Sequence, residues 1–226
     1  MKLVFLLIMT FLSTQAATME LVPVENVYTP RGFDSNDNAE IVITGYLPNL
    51  CYQNPTHKII IDKQKIFIEM RATRINEVAC PEVIVPYLKV IDLGVLDRGN
   101  YKIEVTAASQ HSLNDQITIA KRTRGRIDEF NYPIVTNLDY DMTANELSIK
   151  AYRPSDCFEF RGFEFISDKK EVITVLPKMK RVRDFCPKKL TPLNLKTRIP
   201  NIVNGLRTLI HVRSLNLESK NIEVSL

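Results

Sequence analysis

Gly45-Tyr46-Leu47-Pro48-Asn49-Leu50-Cys51-Tyr52 is written twice in this chain. It returns 106 residues later as Ala151-Tyr152-Arg153-Pro154-Ser155-Asp156-Cys157-Phe158. Each copy is followed, 29 residues after its cysteine, by a second Cys-Pro pair: Cys80-Pro81 and Cys186-Pro187. A constant shift over ungapped sequence is the mark of a repeated unit. Four cysteines allow three pairings, and the repeat selects the one in which each unit closes on itself, Cys51–Cys80 and Cys157–Cys186. Each crosslink is worth roughly 3–4 kcal/mol on the chain-entropy account.

Moving outward to the start of the chain, Met1-Lys2 carries one charge and Leu3 to Leu12 is apolar except for Thr10. Small residues follow at Ser13 to Ala17. This is the layout of a secretory signal peptide, residues 1–16, with cleavage after Ala16. Charges interrupt every later apolar run, so no membrane span is expected. An exported chain with paired cysteines fits the periplasm or the cell exterior. No Asn-x-Ser/Thr acceptor with x other than Pro occurs in the 226 residues, which points to a bacterial host.

The remaining chain divides into a first domain, 17–120, a basic linker, 121–130, and a second domain, 131–226. Short alternating segments dominate: Glu40 to Tyr46, Lys58 to Ile61, Ile66 to Met70 and Tyr87 to Leu93, with Leu147 and Ile149 at the matching inward places of the second copy. Asp62-Lys63-Gln64-Lys65 and its counterpart around Asp168-Lys169-Lys170 are hairpin tips. Helical periodicity is absent. Asp97-Arg98-Gly99-Asn100-Tyr101 resembles the strand F signature of immunoglobulin domains, with Ile103 in the place of that family's cysteine. The resemblance implies that the Tyr101 hydroxyl bonds back to the preceding loop. The second copy keeps Gly205 but has Arg207 where the tyrosine would stand, and the chain contains no tryptophan. The expected fold is all-β: two tandem, duplicated, immunoglobulin-like antiparallel β-sandwich domains with one disulfide each.

Charge separates the two copies. The whole chain carries +4, but residues 17–118 hold nine Lys/Arg against thirteen Asp/Glu, and residues 127–226 hold sixteen against thirteen. Lys178, Lys180, Arg181, Arg183, Lys188 and Lys189 crowd the loop around Cys186. The matching loop around Cys80 has only Arg74 beside Glu77 and Glu82. A braced basic loop suits an anionic polymer or an acidic protein face; the plainer reading is a loop kept soluble by its lysines. No aromatic is expected to interleave these basic residues, so single-strand stacking has no support and no nucleic-acid partner is expected.

Catalysis has little material. His57 lies in a turn near Cys51, His111 near two serines without GxSxG, and His211 in an alternating strand, so no triad is signposted. Neither zinc-type cysteine spacing nor a phosphate-binding glycine pattern occurs, and no cofactor, metal or enzymatic activity is expected. Tyr46, Tyr52, Tyr152 and Phe158 read as packing around the disulfides, with a repeated contact surface as the alternative. The expectation is therefore a non-catalytic exported binding or adhesion protein that uses the basic loop. The alternatives are a periplasmic chaperone-like protein or a protease inhibitor.

Overall fold

In Lys65 to Ala72, apolar side chains alternate with polar ones, and a strand sends alternate side chains to opposite faces. Ile66, Ile68, Met70 and Ala72 are accordingly buried while their neighbours are half or fully exposed. The same rule generates strands throughout the computed structural model, which describes residues 17–76, 79–108, 113–122, 131–169, 171–187, 189–200, 205–215 and 218–225. The expected signal segment, residues 1–16, and most of the expected linker lie outside these residues.

In the N-terminal half, β2 (Val24–Tyr28), β3 (Asn38–Leu47) and β6 (Val85–Val95) form one sheet. The second sheet runs β4 (Tyr52–Asp62), β5 (Lys65–Ile75), β7 (Gly99–Thr106), β8 (Leu113–Ile119), and β1 (Ala17–Leu21) also pairs with β5. Residues 17–28 thus form two strands that join different sheets. The C-terminal half repeats the plan. β9 (Ile134–Asp141), β10 (Glu146–Arg153) and β13 (Thr191–Arg198) form its three-stranded sheet, and β11 (Phe158–Lys169), β12 (Val172–Arg181), β14 (Arg207–Arg213) and β15 (Ser219–Ser225) the four-stranded one.

Each half is a sandwich with its own core. Ile41, Ile43, Ile91 and Leu93 face Ile66, Ile68, Ile103 and Ile117 in the first, and Leu147, Ile149 and Leu195 face Ile173, Val175, Ile210 and Val212 in the second. Full burial of such a side chain contributes about 1.5–3 kcal/mol. Both halves contain one parallel pair, β5 with β7 and β12 with β14, reached by a crossover through the opposite sheet. Immunoglobulin sheets are antiparallel, so the sandwich class holds while the strand pairing differs. Cys51 pairs with Cys80 and Cys157 with Cys186, at Cα separations of 5.5 and 5.4 Å. The Tyr101 hydroxyl donates to the Asp97 carbonyl at 3.0 Å. Gly45 is required by a close approach: a Cβ there would lie 2.2 Å from the Pro23 carbonyl oxygen, where the chain switches between sheets.

The halves are not beads on a linker. The outer face of β2 and β3 packs on the outer face of β12 and β14, with Tyr28 and Val42 against Val172 and Leu209. That explains why β14 and most of β12 are buried on both faces, unlike the one-sided β5. Polar groups in this seam are matched. The Arg213 guanidinium grips Asp37 through contacts of 2.8 and 3.0 Å and also donates to the Gly32 carbonyl. It lies 5.0 Å from the Phe33 ring and 5.2 Å from that of Tyr132. Burial works against the Arg213 charge, and Asp37, Tyr132 and Glu40 together more than offset it. Glu223 accepts from Tyr28 at 2.5 Å and from Thr44 at 3.3 Å. Burial first, then Glu223, pushes the Tyr28 hydroxyl well above the phenol range. Arg207, in the place of the second tyrosine, pairs with Glu25 at 2.8 Å.

Removing one partner of a buried ion pair strands the other. Asp37→Ala is therefore expected to lower the unfolding free energy by about 3–5 kcal/mol in urea titration. Glu25→Ala, which breaks the exposed Arg207 pair, is expected to cost at most about 1 kcal/mol.

Candidate functional site

The basic segment leaves β12 and returns as β13. Its base is braced from four sides. The Val182 amide donates to the Cys157 carbonyl at 2.7 Å, the Cys157–Cys186 bridge holds the middle, and Thr191 donates to Asp156 at 2.9 Å. Arg181 folds inward: its Nε donates to the Arg183 carbonyl at 2.9 Å and its terminal nitrogen to the Asp184 carbonyl. A guanidinium spent on main-chain carbonyls is a loop staple.

The six basic residues therefore do not form one cluster. Lys178 belongs to the seam, 3.4 Å from Glu164 and 5.2 Å from the centre of the Tyr132 ring. Lys180 stands opposite Glu159 in the ladder. Lys180, Arg183 and Lys189 are exposed; Lys188 lies outside the described residues. Among them stands Phe185, 85% exposed, with Leu190 at 58%. Phe185 sits between Arg183 and Cys186, so an aromatic does stand among the basic residues, contrary to expectation. Among the described residues, the disulfide-braced segment thus presents one exposed aromatic ring and three exposed cations. The corresponding segment of the first half presents Val83 and Ile84 instead.

Of the repeated aromatics, Tyr52 is half-buried and packs against the first core. Tyr52 donates to Glu20 at 2.7 Å, with Arg74 over its ring at 5.8 Å, and Tyr152 is 37% exposed.

A second polar cluster lies in the seam, and no sequence pattern announced it. His211 is fully buried. Its Nδ1 is 2.9 Å from Asn221 Oδ1 and 3.2 Å from Glu40 Oε1, and Ser219 donates to the same Glu40 oxygen. A cavity of about 10 Å³ adjoins these groups and Arg213, space for one water at most. Burial, chiefly, pushes the His211 imidazole down to about 3 and Glu40 above the usual carboxylate range. The two acceptors on Nδ1 require the neutral ring to carry its proton there. This is a structural cluster without room for a substrate. His57 is half-buried on β4, pushed down by burial and by Lys89. His111 lies outside the described residues. Among the described residues, no group of three or more His, Cys, Asp or Glu could hold a metal ion, and no helix is long and apolar enough to cross a membrane.

The ORF11 beta-sandwich domain family matches residues 41–120, from β3 to the end of the first sandwich. No curated protein and no solved structure matches the chain.

The seam makes stability pH-dependent. As pH falls from 6.5 toward about 3, unfolded chains protonate His211 and folded ones do not. The folded state loses up to about 1.4 kcal/mol per pH unit. Glu40, with its raised value, gains stability as pH falls and opposes this. A Glu40→Gln protein should therefore lose stability steadily through the window, and a His211→Asn, Glu40→Gln protein should lose less, both measured by urea unfolding. The projection also dictates how trypsin acts: cuts after Lys180, Arg181 or Arg183 should leave one disulfide-linked species that separates only on reduction, as read by mass.

Proposed function

We propose that this protein is a non-catalytic exported binding protein, built from a duplicated, immunoglobulin-like sandwich, and that it holds an acidic protein surface or an anionic polymer through the projection of its second half. The observation that carries the reading is the exposed Phe185 flanked by Arg183 and Lys189 on a segment that is otherwise pinned. A pinned segment loses little conformational entropy on binding. An exposed aromatic among cations offers apolar contact together with charge attraction. The first half, lacking that set, supplies the platform. Sandwich loops on a rigid frame are a common place for partners to dock.

The test leaves the staple intact. Reversing Lys180, Arg183 and Lys189 to Glu, with Arg181 untouched, should abolish retention of the protein on a sulfated-polysaccharide resin and leave the melting curve unchanged. Retention equal to the unaltered protein would refute the reading. Phe185→Ala should weaken binding to an acidic protein more than binding to the resin, because the ring adds apolar contact and not charge.

A further inference from the structure

Strand β4 borders its sheet, and among the described residues it pairs with β5 alone. From Thr56 to Asp62 its register with β5 is unbroken, and the pair closes on the two-residue turn Lys63–Gln64. Border strands expose unpaired main-chain groups, and proteins usually blunt them with bulges, prolines or a cover. Strand β11, the counterpart of β4, is interrupted twice, between Phe160 and Gly162 and between Ile166 and Lys169. Strand β4 has one interruption, between Gln53 and Thr56 at Pro55, and the outer stretch beyond it has none, leaving Ile60 53% and Ile61 41% exposed.

The side chains have a symmetry of their own. Lys58-Ile59-Ile60-Ile61-Asp62 reads with opposite charges at equal distances from Ile60. Because the turn closes on Asp62 and Lys65, alternation in the antiparallel ladder turns the main-chain groups of Ile59 and Ile61 away from β5. If two such strands run antiparallel about Ile60, Ile59 of one copy bonds Ile61 of the other and Ile60 meets Ile60. Each Lys58 then stands opposite an Asp62. Sliding the register by two residues either way opposes Lys58 to Ile60 or Asp62 to Ile60 and loses both charge pairs. Ile59 and Ile61 lie on the core side of the sheet, since they pair with the buried Ile68 and Ile66. The added strand therefore covers the open side of the sandwich.

We infer that the surface along β4 is a self-association site that takes a second copy of this chain, joining two first halves edge to edge across a two-fold axis at Ile60. An isologous contact of this kind presents the same patch from both copies. With few residues in contact, the dimer should depend on concentration.

Sedimentation velocity of the full chain across a concentration series tests this. The unaltered protein should pass from monomer to dimer as concentration rises. Ile60→Glu and Ile60→Lys each place like charges across the axis, and each should remain monomeric with a melting curve like that of the parent. An equimolar mixture of the two should dimerise again, because Glu now meets Lys. A parent protein that stays monomeric throughout, single variants that dimerise as the parent does, or a mixture that stays monomeric would each overturn the inference.

Discussion

The sheet formed by β11, β12, β14 and β15 has two faces that cannot both meet water. Ile173, Val175, Ile210 and Val212 fill one core, and Val172, Leu209 and His211 project from the opposite face. The first half must therefore lie on that second face, and everything else about the relation of the halves follows. Charges drawn into the seam have to be met there, because a carboxylate or guanidinium taken from water without a partner costs several kcal/mol. Asp37 answers Arg213, and Glu223 is answered by hydroxyl groups on β2 and β3. Two sandwiches of nearly the same plan thus become one frame with a single polar joint.

Onto that frame the halves put different loops. The crosslink is common to both, and so is its distance along the chain. The difference lies in what the crosslink supports: aliphatic Val83 and Ile84 in the first half, cations around Phe185 in the second. A sandwich of this plan can change one loop without disturbing its core, because the bridge and the Arg181 bonds to two carbonyls hold the loop's main chain in place. In the proposed function, binding belongs to the loop and rigidity to the sandwich beneath it.

Much of the architecture could be read from the letters. The shift of 106 residues needed no structure, and it chose the cysteine pairing correctly because neither copy had gained or lost a residue between its cysteines. The hairpin at Asp62 to Lys65 was legible from its polar tip. Strand order was not: alternation says which face a residue occupies and nothing about which strand lies alongside, so the parallel β5–β7 contact escaped. The seam leaves a trace in the letters. Val172 to Leu176 is nearly continuous in apolar residues, the pattern of a strand covered on both sides, whereas β5 alternates. His211 reads as part of an alternating strand, yet its whole strand after Arg207 is buried. Lys178 and Arg181 stand with the other cations in sequence, and only coordinates reveal that Glu164, Tyr132 and two carbonyls engage them.

The doubly covered sheet also governs how the polypeptide can be divided. Separate expression of the region after the linker would leave Val172, Leu209 and the imidazole of His211 facing solvent, a sticky strip flanked by an orphaned Arg213. The preceding region would in turn uncover Tyr28, Val42 and Phe33 and strand Asp37 and Glu40 without their partners. Neither gene fragment is thus a self-sufficient reagent, and each half serves the other as an intramolecular escort.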